Sequence, residues 1–267
     1  MNHLAIFSVP RSGSSWLGEI FNSSPETSYR FQPNFAYSFP LTLQRDSSFE
    51  EIQQFHKELA LTNDPFVCDK LSISSKAKDG FPKDKQKLLV WKETHFIFLA
   101  ETLLKNSDTK VIGLLRSPLA CIASWLKIPK EFHREWDVLE QWRTGELKNE
   151  GKESHYFGFE KWKEAALLFE RLAEEYPERF YVVNYDDLLL DTLGTVTKLF
   201  RFADLTITDQ TLQFIQNSRN SSDNDAYSVF KKKNDDLSWQ GSLPGFVEDG
   251  IKNDEAFIML NGKYNWV

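Results

Sequence analysis

LAIFSVPRSGSSWLGEIF, residues 4–21, is the stretch that decides how this 267-residue chain folds. Leu4 to Val9 is an apolar run of strand length, Pro10 to Ser15 is a tight Ser/Gly loop, and Trp16 to Phe21 has the apolar spacing of a short helix. That helix is expected to stop at Asn22-Ser23-Ser24-Pro25, a cluster of turn formers. A strand that runs through such a loop into a helix is a ready anion site, because the unpaired N–H groups of the first helical turn point at the ligand and the helix dipole favours negative charge. Arg11 adds a full positive charge. The loop is not that of a nucleoside-triphosphate P-loop, since it lacks the Gly-Lys-Ser/Thr ending that reaches the β- and γ-phosphates. An ordinary strand-to-helix turn that happens to use Ser and Gly reads the same way from the loop alone.

Further along the chain the same strand-then-helix order recurs. Leu88 to Trp91 reads as a second strand, followed by Lys92-Glu93-Thr94-His95 and a helix from about Phe96 to Leu104. Lys110 to Leu115 is a third strand, ending at Arg116-Ser117-Pro118 and leading into a helix over 119–126. Residues 160–176 form an amphipathic helix, Arg179 to Tyr185 a fourth strand, and Asp186-Asp187 are suited to cap the next element. The alternation predicts one α/β domain over 1–267, a central parallel β-sheet flanked by helices. Residues 30–60 and 128–158, rich in aromatics, Pro and charge, read as insertions over the carboxyl edge of the sheet, where open α/β sheets bind ligands.

Composition narrows the function. A chain that is 41% hydrophobic and 14% aromatic has enough apolar surface for a core. The first apolar run is too short for a signal peptide and meets Pro10 and Arg11 at once, and no run approaches the roughly 20 apolar residues of a membrane span, so a soluble, cytoplasmic protein is expected. A net charge of −7 argues against a broad positive field for nucleic acid or a sulfated polysaccharide, so any anion site must be local. The two cysteines, Cys68 and Cys121, are too few for a disulfide scaffold, and no His/Cys/carboxylate cluster has metal-ligand spacing, so no metal is expected.

Two further segments carry chemistry. Arg116 at a strand end with Ser124 on the following helix is a pairing able to share one phosphate. Ser228-Val229-Phe230-Lys231-Lys232-Lys233 is a basic knot with an aromatic in an acidic chain. Each has a plainer reading, a surface arginine and a solvated lysine run.

Together these segments resemble the PAPS-dependent sulfotransferase family (PAPS is 3′-phosphoadenosine 5′-phosphosulfate), over residues 4 to about 243. Pro10-Arg11-Ser12-Gly13-Ser14-Ser15-Trp16 is similar to the family's 5′-phosphosulfate loop, in the arginine form of carbohydrate and bacterial members, and the similarity continues from Gly18 to Pro25. Arg116 through Ser124-Trp125 resembles the 3′-phosphate motif, in which the arginine and serine bind that phosphate. Trp91-Lys92-Glu93-Thr94-His95 looks like the cytosolic members' Lys-Thr-His segment, whose histidine is the catalytic base. The run 180–188, with Tyr185, resembles the strand whose tyrosine approaches the adenine; Phe230, Lys232 and Lys233, followed by Trp239, resemble the stretch that packs on adenine and grips the 3′-phosphate. Two departures stand out. Gln32 before Pro33 occupies the place of the carbohydrate enzymes' glutamate base, and Asn234 replaces the family's glycine.

The resemblance implies a single-domain P-loop-like sulfotransferase fold, PAPS as co-substrate, 3′,5′-adenosine bisphosphate as product, and a small-molecule acceptor sulfated on a hydroxyl or amine. His95 is the expected base, because its ordinary pKa of about 6.5 suits proton transfer near neutrality, with Glu93 and His133 in reserve. Arg11 and the N–H groups from Gly13 to Trp16 are expected at the 5′-phosphate, Lys92 at the bridging oxygen, and Trp16, Tyr185 and Phe230 at the adenine. Gln32, Phe35, Tyr37, Phe39, Phe132, His133, Trp136 and Trp142 are candidate pocket walls, several of which must be core. Acidic composition favours a neutral or cationic acceptor, a bacterial natural product such as a guanidinium alkaloid or a steroid-like or phenolic alcohol, over a polyanionic glycan. A carbohydrate sulfotransferase, a P-loop nucleotide kinase and a non-catalytic nucleotide-binding relative remain the alternatives. The family allows a homodimer, and no stretch of the sequence marks an interface.

Overall fold

In the computed structural model, residues 1–36, 39, 42–69, 80–220, 228–229 and 235–267 are described. Five strands, β1 (Asn2–Phe7), β2 (Thr27–Phe31), β3 (Leu88–Glu93), β4 (Lys110–Leu115) and β5 (Phe180–Asn184), form one parallel sheet in the order β2-β3-β1-β4-β5. The helices up to the last strand are α1 (Ser14–Asn22), α2 (Phe49–Leu61), α3 (Leu99–Asn106), α4 (Pro118–Leu126), α5 (Val138–Thr144), α6 (Glu146–Asn149) and α7 (Phe159–Glu175). After β5 come α8 (Tyr185–Leu190), α9 (Thr192–Phe202), α10 (Asp209–Asn220), α11 (Gly245–Lys252) and α12 (Glu255–Tyr264). Among the described residues no helix is long and apolar enough to cross a membrane.

The sheet buries both faces, which is why its strands read as continuous apolar runs. Side chains alternate between two cores: Ala5, Phe7, Leu89, Trp91, Val111 and Leu115 pack on one face, largely with α2, α3, α4 and α7, and Leu4, Ile6, Leu88, Val90, Ile112 and Leu114 on the other, with α1, α8, α9 and α10. The period of two is that of a strand. Gly113 sits in β4 because a Cβ there would lie 2.8 Å from the Phe169 ring.

Several boundaries differ from the sequence expectation. β2 falls in a stretch with no strand signal: TSYRF has no apolar run, and this edge strand is held instead by Arg30, whose Nε and Nη2 donate to the carbonyls of Leu59 and Ala60. α2 lies in the expected insertion and opens on a Ser48–Glu51 capping box. α3 begins three residues late because Phe96 adopts a left-handed φ of 53° and its N–H donates to the Ser154 carbonyl. Asn184, not Asp186-Asp187, caps the helix after β5; those two aspartates lie in its first turn, where the helix dipole favours them.

The strand order fixes where a ligand goes. From β1 the chain first builds β2 and β3 on one side, then crosses to β4 and β5 on the other. The crevice outside the carboxyl end of β1, between β3 and β4, is therefore a topological switch point.

Away from that crevice, His3 on β1 stacks on His56 of α2 with ring centroids 3.9 Å apart and planes 13° from parallel, and neither ring nitrogen of the buried His56 makes a hydrogen bond. Burial, reinforced by the other imidazole, lowers His56 to about 3; burial, then the chain's N-terminal charge, lowers His3 to about 4. Because the fold favours the neutral rings, their contribution is intact above the unfolded value of about 6.5 and is lost progressively as pH falls from there to the lowered values of the folded chain. His56→Phe is therefore expected to shift the wild-type-minus-variant stability by roughly 1–2 kcal/mol in the variant's favour between pH 7.5 and pH 5. Urea unfolding at both pH values checks this; a pH-independent difference contradicts it.

Candidate active site

A cleft of about 720 Å³ opens at the switch point, within the size range of small-molecule and cofactor sites. Its floor is the first loop. Arg11 takes a left-handed φ of 69° and Gly13 one of 87°, and the chain then enters α1 with no side chain capping the helix. Gly13, Ser14, Ser15 and Trp16 all line the cleft, so the N-terminus of α1 faces it. A Cβ on Gly13 would lie 2.4 Å from Tyr185 Cε2; the tyrosine ring at the start of α8 packs directly on the loop. Trp16 meets that ring edge-on at 6.3 Å and donates its indole N–H to Ser218 Oγ at 3.0 Å. Ser12 is different: it is fully buried beneath the floor, its Oγ 3.5 Å from Cys121 Sγ.

The loop after β4 supplies the adjacent wall. Pro118 opens α4, which brings Ser124 to the cleft two turns from Arg116. Arg11 Nε donates to Ser124 Oγ at 3.1 Å and its Nη1 lies 3.7 Å from Glu131, so the first loop and α4 are tied together across the cleft. Arg116 is buried, and each of its three nitrogens donates a hydrogen bond. Its Nε and Nη2 donate to Asp236 Oδ2 and Oδ1 at 2.7 and 2.6 Å, its Nη1 to the Arg11 carbonyl at 2.5 Å, and its guanidinium lies 4.9 Å over the Tyr185 ring. Burial opposes the charge on Arg116, and the Asp236 carboxylate overcomes it, raising the guanidinium above its ordinary range.

The end of β3 supplies the opposite wall. Lys92, almost wholly buried, lines the cleft with Nζ 4.2 Å over the Phe31 ring, and burial lowers its pKa to about 8. Glu93 points the other way, as alternation along a strand requires. It is not in the cleft: Oε1 accepts the Asn34 N–H at 2.7 Å and burial raises the carboxyl to about 8, so it anchors the 32–36 turn. That turn carries Gln32 and Phe35. Gln32, at a left-handed φ of 41°, donates its amide to Thr94 Oγ1, which lies 3.4 Å from His95 Nδ1. Phe35 stacks on the His95 ring at 4.4 Å, and His155 meets it edge-on at 5.0 Å. Burial, then repulsion between its protonated form and the neighbouring His155 and Lys92, lower His95 to about 3, well under the ordinary 6.5 of the sequence expectation, so it is neutral at pH 7.

Of the residues singled out in the sequence, Arg11, Gly13, Ser14, Ser15, Trp16, Gln32, Phe35, Lys92, His95, Arg116, Ser124 and Tyr185 therefore share one cleft. His133 and Trp136 do not reach it. They stack on each other at 4.7 Å, with about half of the His133 side chain in solvent. Phe39, Phe132 and Trp142 are core. Tyr37, Phe230, Lys232 and Lys233 lie outside the described residues. Sequence reasoning missed His155, Phe157 and Asp236, and it included Thr94 within the Lys-Thr-His segment without giving it a role. Thr94 and His155 contact His95; His155 and Phe157 fall in the stretch 128–158 expected over the sheet edge. Among the described residues that line the cleft, Arg and Lys outnumber Asp and Glu seven to two, against an excess of acids in the whole chain. Among the described residues no group of three or more His, Cys, Asp or Glu is placed to hold a metal ion.

The fold recurs among solved sulfotransferases. The mouse sulfotransferase SULT7A1 complexed with PAP matches with a TM-score of 0.56 at 12% identity, over 100% of this chain and 89% of that one. The sulfotransferase domain of the Synechococcus PCC 7002 olefin synthase gives 0.55 at 16% identity over 100% and 95% of the two chains. Retinol dehydratase, in complex with androsterone and inactive cofactor PAP, gives 0.55 at 13% over 98% and 80%. A search of the curated proteins finds no significant sequence match. The family model for the sulfotransferase domain matches residues 1–243, the span that carries all the strands and every wall of the cleft, and the chain belongs to the sulfotransferase family.

Proposed function

We propose that this chain takes the sulfuryl group from PAPS and places it on a hydroxyl or amine of a small, neutral acceptor, releasing 3′,5′-adenosine bisphosphate. The observation that carries the reading is that the loops after β1, β3 and β4 meet at one switch point and bring Arg11, His95 and the Arg116–Ser124 pair to one cleft. The residues present fit the donor. An uncapped helix N-terminus with Arg11 beside it suits the 5′-phosphosulfate. Arg116 and Ser124 suit the 3′-phosphate, with Lys232 and Lys233 as further candidates, and Trp16, Tyr185 and Phe230 suit the adenine. When bound, PAPS supplies the sulfuryl group and a phosphate leaving group.

What the protein contributes is positioning and charge. Arg11 and the first turn of α1 stabilise negative charge building on the 5′-phosphate, and Lys92, protonated in the presence of that anion, adds to it at the bridging oxygen. His95 takes the acceptor's proton. Thr94 Oγ1 has two lone pairs, so while accepting from the Gln32 amide it can also accept from His95 Nδ1 in the tautomer protonated there. That tautomer leaves the Nε2 lone pair free to act as base. Gln32 therefore has a role that does not require it to accept a proton. It holds Thr94, which orients the imidazole.

The acceptor end is walled by Phe31, Phe35 and Phe157, with Lys148 beyond them. Apolar rings favour a flat, ring-bearing alcohol or amine, and the excess of cations disfavours a guanidinium alkaloid. Among the alternatives, a kinase has no use for a second phosphate site, and a non-catalytic relative has no use for an oriented, neutral histidine.

Release of 3′,5′-adenosine bisphosphate from PAPS, followed across a panel of phenols, steroid-like alcohols and amines, tests the reading. Turnover with at least one neutral ring-bearing acceptor is expected, and bisphosphate binding without turnover on any of them contradicts it. His95→Ala is expected to lower kcat by about 10²- to 10⁴-fold, with bisphosphate affinity unchanged; equal loss of both contradicts the assignment as base. Because a lowered pKa keeps His95 unprotonated into acid, the acid limb of kcat/KM is expected below about pH 5 rather than near 6.5. A limb at the ordinary histidine value contradicts that environment.

A further inference from the structure

Arg116 meets an anion that belongs to the chain itself. The Nε/Nη2 edge of its guanidinium, which presents two parallel N–H groups, is filled bidentately by Asp236 at 2.7 and 2.6 Å, with only 2% of the Asp236 side chain in solvent. The remaining contacts of Arg116 are structural. Nη1 donates to the Arg11 carbonyl, the Tyr185 ring lies beneath, and the Arg116 carbonyl accepts the Trp162 indole N–H at 3.0 Å. With Nη1 committed to the Arg11 carbonyl, Nε/Nη2 is the edge with no backbone partner, the one best suited to grip a phosphate, and the carboxylate holds it. A carboxylate and a phosphate present the same pair of acceptor oxygens to a guanidinium, and one edge cannot serve both. Two anions side by side at a buried guanidinium repel strongly.

We infer that Asp236 is an internal competitor for the nucleotide's 3′-phosphate, keeping Arg116 paired in the nucleotide-free protein and yielding it when the nucleotide enters. This rests on the reading of Arg116 as a 3′-phosphate ligand. It explains how a guanidinium this deeply buried is tolerated without nucleotide, since a buried charge left unpaired is strongly destabilising. It also gives the chain control over product affinity. Each bound bisphosphate is opposed by re-formation of the Arg116–Asp236 pair, which weakens binding and favours release. A nucleotide without a 3′-phosphate leaves the pair undisturbed.

Calorimetric titration of wild type, Asp236→Asn and Asp236→Ala with 3′,5′-adenosine bisphosphate and with adenosine 5′-monophosphate tests this. If the competitor state holds nine-tenths or more of the nucleotide-free protein, its removal tightens bisphosphate binding by roughly 10- to 100-fold. The monophosphate is expected to bind all three proteins alike, and the nucleotide-free variants to melt at lower temperature because Arg116 has lost its partner. The thermal shift produced by saturating bisphosphate gives the same comparison for a variant too unstable to titrate. Unchanged or weaker bisphosphate binding in both variants, with wild type still preferring the bisphosphate, overturns the inference alone and makes Asp236 a support for Arg116. A wild type that does not distinguish the two nucleotides overturns both the inference and the reading beneath it.

Discussion

The parallel pairing of β1 with β3 on one side and β4 on the other is the constraint from which the rest of the site derives. Pairing sets the register, with Phe7 opposite both Glu93 and Gly113, so that β1 and β3 end together and β4 runs on to Leu115 at the same edge. Each strand then releases its loop into the same crevice. Arg11, His95 and Arg116 come from three different loops, yet in the fold they are neighbours across one cleft, because the sheet crosses from one side of β1 to the other there.

A chain with net charge −7 builds a cationic cleft by position rather than by composition. The helix N-terminus, the two arginines and Lys92 concentrate positive potential where water is scarce and charge interactions are strong. That concentration is costly in the absence of an anion, and the structure meets the cost in different ways. Arg116 is neutralised by Asp236, Arg11 lies against Ser124 and Glu131, and Lys92 has its pKa lowered to about 8, mainly by burial. His95 is kept neutral chiefly by burial as well. The charge states of the histidine and the cations of the cleft are thus set by one buried environment.

Much of this is legible in the residues. The strand-loop-helix reading of 4–21 yields the first unit, and the apolar runs at 88–91 and 110–115 yield the two strands beside β1. The loops after those strands contain the motif residues, so the site is readable wherever backbone topology alone does the positioning. Features that depend on long-range pairing escape. The edge strand TSYRF has no apolar signature because Arg30 holds it through carbonyls of α2. Glu93 reads as a neighbour of the chemistry, and the period of two turns it to the other face of the sheet. His133 and Trp136 carry the aromatic and titratable character of a pocket, yet they satisfy each other on the surface. Gln32 has the look of a lost base, and only the fold shows its amide donating to Thr94 beside His95.

The most direct test of the site is a crystal structure with 3′,5′-adenosine bisphosphate bound. The 5′-phosphate is expected at the N-terminus of α1 beside Arg11 and the 3′-phosphate on Arg116 and Ser124, with the adenine against Trp16 or Tyr185. A nucleotide bound elsewhere on the sheet edge, or bound in the cleft with its 3′-phosphate turned away from Arg116 and Ser124, would contradict that placement.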